Sequence, residues 1–189
     1  MSEAKAGLEE GVLEAYEGFA ERVAPFSVAA SRREDVQCAR GCSSCCVVGL
    51  TVCAVEATRL RRAIDGLEAG VRQKVRSQAS DDSRTQCVLL VDDACAVYDA
   101  RPMVCRTQGL PLAYEAGTIP AERLSARASD GRDLTWCPLN YTEQAPKAAE
   151  ILDATLIDKG VATLNGAFAS VAEVDPLHRV SLSELAELL

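Results

Sequence analysis

The sequence is poor in aromatic residues and in positive charge, and each shortage excludes a class of protein. Aromatic residues make up 4% of the 189 residues, so a core must be built mainly from Ala, Val and Leu. The formal net charge of -8 argues against a nucleic-acid-binding surface, because neutralising phosphates requires clustered Lys and Arg. The basic residues from Arg59 to Arg76 stand among acidic ones, and we interpret them as a solvated helix surface.

Histidine is nearly absent, and this limits the catalytic sites that the chain could form. His178, the single histidine, lies in D-P-L-H-R near the C-terminus, where we expect it to be exposed. Zinc hydrolase sites rich in histidine are excluded, as is a Cys-His nucleophile unless His178 folds back onto the cysteines. Asp92 and Asp93 could pass for paired carboxylates, but adjacent residues on a turn point apart. No catalytic residue is assigned.

The chain also lacks long apolar runs and a recognisable targeting segment. No apolar run reaches the roughly 18 residues that a membrane span needs, and the opening M-S-E-A-K-A-G-L-E-E-G has no basic and apolar signal pattern. We therefore expect a soluble cytoplasmic protein, without a membrane partner, whose thiols are kept reduced. With 48% hydrophobic residues, the chain is expected to form a single domain over residues 1–189, with its motif core at residues 38–139.

The apolar periodicity predicts a mainly α fold, in which helices pack around an irregular Cys-rich metal-binding centre with one small β-hairpin. Apolar residues recur at helical spacing from Leu8 to Val23, and Pro25 is expected to end that helix. The segment from Val55 to Ser80 predicts one or two helices, with a break near Gly66 or Gly70.

The second half of the chain predicts a hairpin, an irregular region and two further helices. Two short apolar runs, residues 87–91 and 95–98, flank a turn and predict the hairpin, which is expected to be the only sheet. Residues 109–137 are expected to be irregular, and a long helix is predicted from Pro146 to Leu164. Ser181 and Glu184 form a capping-box pattern before a terminal apolar stripe.

Cysteine is abundant in the sequence, with nine residues. Because nine is an odd number, a complete set of internal disulfides would leave one thiol over. The spacing in Cys42-Ser-Ser-Cys45 lets a tight turn direct two thiolates at one metal ion. The adjacent Cys45 and Cys46 more naturally serve two metals, or a cluster, than one tetrahedral ion. The nine fall into two groups along the sequence: Cys38, Cys42, Cys45, Cys46 and Cys53, and then Cys87, Cys95, Cys105 and Cys137.

Three arginines stand close to these cysteines and could compensate the charge of clustered thiolates. Arg40 lies inside the first group, and Arg101 and Arg106 flank Cys105 in R-P-M-V-C-R. If Pro102 takes the first helical position, Cys105 lies in the first turn, where the helix dipole favours a thiolate. Arg101 and Arg106 are therefore candidates for residues around the cofactor that support its ligands, with an ordinary ion pair as the alternative.

The string C-A-R-G-C-S-S-C-C, followed by C-V-L-L-V-D-D-A-C-A-V-Y-D-A-R-P-M-V-C-R, resembles the YkgJ-type cysteine-cluster (CxxCxxCC) family. The resemblance runs from Cys38 to Arg106, with W-C-P-L at residues 136–139 as a further element. It implies chelation of zinc or iron, and similar domains occur in flagellin lysine methylases, so the reaction stays open. The chain departs from the family pattern at Val88, where Pro is usual, and at Cys53, which we set apart as a buried thiol.

Eight cysteines then remain as expected metal ligands. They fit two sites of four thiolates each, or one iron–sulfur cluster on four thiolates plus a separate ion. We prefer zinc to an iron–sulfur cluster, because closing irregular loops is well served by a redox-inert ion. The expected ligands are Cys38, Cys42, Cys45, Cys46, Cys87, Cys95, Cys105 and Cys137.

Three functions are compatible with such a site. The first is a metal-binding protein in which the metal is structural, stored or delivered, and it needs only the cysteines. The second is a metal- or iron–sulfur-dependent enzyme, redox or protein-modifying, with a substrate pocket in residues 109–137. The third is a redox sensor, which needs an exposed cysteine of low pKa.

Overall fold

The computed structural model describes residues 3–187, and α-helices account for most of its regular structure. The helices are α1 (Glu3–Glu21), α2 (Ala24–Ala30), α3 (Ala54–Asp65), α4 (Ala69–Ala79), α5 (Met103–Thr107), α6 (Ala154–Ala172) and α7 (Leu182–Glu187). The strands are β1 (Thr51–Val52), β2 (Leu90–Val91), β3 (Ala94–Cys95), β4 (Leu112–Tyr114), β5 (Ala126–Arg127), β6 (Asp133–Thr135), β7 (Leu152–Asp153) and β8 (Val180–Ser181). The prediction of a mainly α protein is confirmed at this level.

The contacts among residues divide the chain into two compact units. Unit 1 combines Arg40–Pro102 with the chain up to Glu17 and the chain from Thr163 onward. Unit 2 combines Gly18–Ala39 with Met103–Ala162. None of the helices within residues 3–187 has both the length and the apolar character that crossing a bilayer requires.

The core of unit 1 is built from the apolar stripes of three helices. In α3 the buried residues Leu60 and Ile64 are four apart, and in α4 Val75 and Ala79 have the same spacing. This spacing places both members of a pair on one helix face, so each helix buries a single stripe. The same cluster includes residues of α7 and of the segment from Cys87 to Val91, so a cysteine-bearing segment lies within the hydrophobic core.

The predicted break between the two helices of this core is confirmed. Helix α3 ends at Asp65 and Gly66 caps it, with the Gly66 N–H bonded to the Arg62 carbonyl oxygen at 3.1 Å. The predicted capping box at the last helix is also observed: the Ser181 N–H donates to the Glu184 carboxylate at 2.7 Å, and the Glu184 N–H donates to the Ser181 hydroxyl at 3.1 Å. Such caps satisfy the first N–H groups of the helix, which have no partner within it.

Unit 1 also contains the hairpin, formed by β2 and β3 in antiparallel register with Leu90 opposite Cys95. The turn residues Asp92 and Asp93 both have positive φ, 50° and 62°. A two-residue hairpin turn of this kind requires that conformation, and Asp tolerates it better than most residues. The strands are shorter than the runs predicted. The expectation that this is the only sheet is wrong, because β1 pairs with β8 in the same unit and unit 2 holds a larger sheet.

Unit 2 contains a four-stranded sheet with the order β5-β6-β4-β7. Strand β4 pairs antiparallel with β6 and parallel with β7, and Leu112 lies opposite both Thr135 and Leu152. The expectation that residues 109–137 are irregular is therefore wrong. The helix predicted from Pro146 also begins later, at Ala154, because Leu152–Asp153 pair with β4 instead of entering the helix.

Pro25 has a different role from the one expected. Helix α1 ends at Glu21, and a second helix, α2, begins at Ala24 with Pro25 in its first turn. A proline is well suited to that position, because its fixed φ is helical and its missing N–H would have no partner there. Pro25 therefore starts a new helix beyond the first one.

Candidate metal centre

Backbone pairing in unit 1 brings together cysteines that are far apart in sequence. The Cys87 N–H donates to the Cys46 carbonyl oxygen at 2.9 Å, and an isolated antiparallel bridge joins Val47 to Gln86. The hairpin then returns the chain so that Cys95 pairs with Leu90. Main-chain hydrogen bonds thus place Cys46, Cys87 and Cys95 in one region of the unit.

The charges of these cysteines act on one another. Burial raises the pKa of Cys46, and the charges of Cys87 and Cys95 raise it further. Burial likewise raises the pKa of Cys87, to which the charges of Cys95 and Cys45 add. Cys42 contributes to the raised pKa of Cys46 as well, so each of these five thiols interacts electrostatically with Cys46 or with Cys87. This set is called the unit 1 cysteine group: Cys42, Cys45, Cys46, Cys87 and Cys95.

A pair of arginines stacked on one tyrosine lies beside this group. The guanidinium carbons of Arg101 and Arg40 lie 3.7 Å and 4.3 Å from the centre of the Tyr98 ring. Arg101 Nε also donates to the Tyr98 carbonyl oxygen at 3.1 Å. Burial raises the pKa of Cys95, whereas the positive charges of Arg101 and Arg40 lower it. Both arginines therefore act on a cysteine of the group, as charge compensation of thiolates requires.

The other three expected ligands belong to unit 2. Cys38 lies there and not with Cys42, although the sequence places the two in one motif. Cys105 lies in the first turn of α5, as predicted, although the helix begins one residue after Pro102. Arg106 follows it in the same short helix. Cys137 accepts the Asn140 N–H on its carbonyl oxygen at 2.9 Å.

Cys53, which the family pattern sets apart, is a buried thiol at the start of α3. Its Sγ donates to Glu56 Oε2 at 3.4 Å, and the Tyr16 hydroxyl donates to Glu56 Oε1 at 2.5 Å. Burial, followed by the charge of Glu56, raises the pKa of Cys53 to about 12. A thiol with such a pKa forms little thiolate at neutral pH, so Cys53 is poorly suited to be a metal ligand or a switching thiol.

The phenol of Tyr16 offers a test of this buried network. Tyr16→Phe removes one donor from the carboxyl group of Glu56, which is 4% exposed. We expect the free energy of unfolding to fall by about 1–3 kcal/mol, the usual cost of a buried polar atom that loses a partner. Urea denaturation measures this, and metal content should stay at the wild-type level. An unchanged midpoint with an unchanged slope would show that the bond contributes no net stability.

The cysteine sulfurs are donor atoms of the kind that a thiophilic metal ion prefers. None of the nine cysteines, all within the described residues, forms a disulfide. Thiolates suit zinc and iron–sulfur clusters alike. Among residues 3–187, no three His, Cys, Asp or Glu side chains are grouped closely enough to hold a metal ion as they stand. His178 is exposed, as expected.

Sequence reasoning missed two residues that contact a candidate ligand. Asn140 Nδ2 lies 3.1 Å from Cys38 Sγ, and a Cβ at Gly109 would lie 2.4 Å from the same sulfur. Neither residue is a usual ligand of zinc or iron, and Asn140 is 102 positions from Cys38. The one local signal is that Asn140 directly follows the W-C-P-L element.

Comparison with known proteins identifies one family. Residues 37–126 match the model of the CxxCxxCC family, described as "Putative zinc- or iron-chelating domain". The match contains seven of the eight expected ligands and ends before Cys137. No curated protein and no solved structure matches the chain.

Proposed function

We propose that this protein binds zinc through cysteine thiolates and uses the metal to hold its irregular segments in place. The premise is that residues 37–126 form a CxxCxxCC domain. The family description supports chelation of zinc or iron. The choice of zinc follows from the structural task, since a redox-inert ion with four thiolates fixes loops without further chemistry. Storage or delivery of the metal would need the same ligands.

The observation that carries the proposal is the unit 1 cysteine group. Residues 42–46 contain no helix or strand, so their positions depend on a few pairings such as the bond from the Cys87 N–H to the Cys46 carbonyl. A metal held by thiolates from both segments would add a strong link at this point. The bound ion would supply charge neutralisation of the clustered sulfurs, because burial and then the charges of Cys87 and Cys95 otherwise raise the pKa of Cys46.

The full ligand assignment belongs to the same proposal. The side chains that we propose as donors are Cys42, Cys45, Cys46, Cys87 and Cys95 of unit 1, and Cys38, Cys105 and Cys137 of unit 2. We propose Arg101 and Arg106 as residues that support the ligands by their positive charge. The stacking of Arg101 on Tyr98, near Cys95, supports its part of the assignment.

Metal analysis of protein purified anaerobically tests the proposed function. We expect a colourless protein with zinc in stoichiometric amount, because thiolate-bound zinc has no visible absorption. The same preparation from cells grown with added iron should give the same result. A brown protein with visible absorption and bound iron would overturn the choice of zinc in favour of an iron–sulfur cluster. A protein without bound metal that also fails to take up zinc would overturn metal binding altogether.

A further inference from the structure

Asn140 is a buried asparagine whose side-chain oxygen and nitrogen both form hydrogen bonds. Its Oδ1 accepts the Gln37 N–H at 2.9 Å, and its Nδ2 donates to the Gly109 carbonyl oxygen at 2.9 Å. These two bonds fix the orientation of the amide, because a flipped side chain would set oxygen against oxygen and N–H against N–H. The remaining N–H of Nδ2 is directed at Cys38 Sγ, 3.1 Å away. The side chain is 1% exposed, so water does not compete for these bonds.

The backbone of unit 2 holds Asn140 against the segment that carries Cys38. An isolated antiparallel bridge joins Val36 to Asn140, and the Tyr141 N–H donates to the Asp35 carbonyl oxygen at 2.8 Å. Arg33 reinforces the pairing, since its guanidinium forms two bonds of 2.9 Å to the Asp35 carboxylate and lies 4.8 Å from the centre of the Tyr141 ring. The position of the amide is therefore set by main-chain pairing.

Gly109 is the second residue next to the Cys38 sulfur. A Cβ at this position would lie 2.4 Å from Cys38 Sγ and 3.2 Å from Asn140 Nδ2. The residue also has φ of +90°, which a glycine adopts without strain. The sulfur of Cys38 thus lies close to both the backbone of Gly109 and an N–H donor.

We propose that Asn140 and Gly109 are positioning residues for the Cys38 sulfur as a metal donor. In this proposal the Asn140 N–H stabilises the negative charge of the Cys38 thiolate. This inference rests on the proposed function. Hydrogen bonds from neighbouring groups orient metal ligands and adjust their donor strength, for sulfur as for histidine. An N–H group forms a stronger hydrogen bond to a charged acceptor than to a neutral thiol. The contact therefore favours the thiolate, which is the form of Cys38 that binds a metal.

Asn140→Asp tests the inference with almost no change in shape. The Oδ1 that accepts the Gln37 N–H is kept, but an oxygen replaces the donor that faces Cys38 and Gly109. We expect zinc affinity, measured by competition with a chelating dye, to fall by about 10-fold to 100-fold. With cobalt as the probe, we expect weaker thiolate-to-metal charge-transfer absorption, because one sulfur fewer is bound.

Asn165→Asp is the matched control for loss of a buried amide donor. Asn165 is 4% exposed, its Oδ1 accepts the Val55 N–H at 3.2 Å, and its Nδ2 donates to the Pro176 carbonyl oxygen at 2.8 Å. It lies in unit 1 and none of these contacts involves sulfur. The control variant should lose stability, as Asn140→Asp does, while its zinc affinity and cobalt spectrum remain those of the wild type.

Gly109→Ala is a second, independent variant that does not depend on the folding of Asn140→Asp. The added methyl group would displace the Cys38 sulfur, so we expect a similar loss of zinc affinity and of charge-transfer absorption. Gly131→Ala is its control, because Gly131 has φ of +87° and no atom within 4 Å of an added Cβ. That variant carries the same backbone strain without touching a ligand, and its metal binding should be unchanged.

The outcomes separate this inference from the function on which it rests. If the wild-type chain takes up no zinc and shows no thiolate-to-cobalt band, both the function and the inference are overturned. If the wild type binds zinc and the folded variants at Asn140 and Gly109 match it, the inference alone is overturned. Equal losses in the variants and in their controls would also overturn it, because the effect would then be one of stability alone.

Discussion

Removing the metal with a strong chelator is expected to lower the melting temperature of this protein by about 8–16 °C. A site filled at about 1,000 times its dissociation constant adds about 4 kcal/mol to the native state. For a domain of this size, each kcal/mol corresponds to about 2–4 °C. The physical reason is that the unfolded chain lacks the arranged ligands, so the binding free energy adds to the free energy of unfolding.

Two features of unit 1 are the reason for this expectation. The strands of unit 1 are two residues long, and the cysteine-bearing segment at residues 42–46 has no regular structure. The hydrophobic cluster that contains Cys87 is built from Val, Leu, Ile, Ala and Cys, and the buried aromatic residues of unit 1, Tyr16 and Phe168, are not members of it. Because the strands are so short, ordering of the cysteine-bearing loops depends on other interactions, and a thiolate-bound ion would be a strong one.

Calorimetry with a thiol-free reductant present measures the effect without interference from disulfides. Zinc added back in slight excess should restore the melting temperature, whereas magnesium, which prefers oxygen ligands, should not. An unchanged melting curve after metal analysis has confirmed complete removal would contradict the structural role. It would then favour storage or delivery, in which the metal leaves a chain that stays folded.

Changing Cys45 or Cys105 to Ser is expected to remove bound metal and to destabilise the protein. Each substitution deletes one proposed thiolate and leaves its partners as protonated or mutually repelling sulfurs. The two cysteines lie in different units, so the pair tests the ligand assignment in each unit separately. Metal content by mass spectrometry and the melting temperature should fall together in both variants.

Cys53→Ser is the matched control for these two changes. Its sulfur is buried and hydrogen-bonded to Glu56, and we assign it no part in metal binding. We expect full metal content and a modest loss of about 1–3 kcal/mol for placing a hydroxyl in a thiol site. Loss of metal in this variant, or full retention in the Cys105 variant, would show that the ligands are wrongly assigned.

The sequence by itself determined the helices that have strong local signals. The break at Gly66 and the capping box of Ser181 and Glu184 depend on residues within one turn of each other, so they can be read from a short segment. The cysteine motif indicated in the same way the family whose model matches residues 37–126. The hairpin turn at Asp92 and Asp93 is a further local feature.

Only the tertiary structure decided which cysteines share a unit and what surrounds them. The sequence groups Cys38 with Cys42, yet Cys38 packs against Gly109 and Asn140 in unit 2. The sheet of β4 to β7 was missed for the same reason, since Leu152 pairs with a strand 40 residues earlier and so cannot begin a helix. Pairings across such separations depend on backbone hydrogen bonds between distant segments, and no local pattern of residue types specifies which segments will meet.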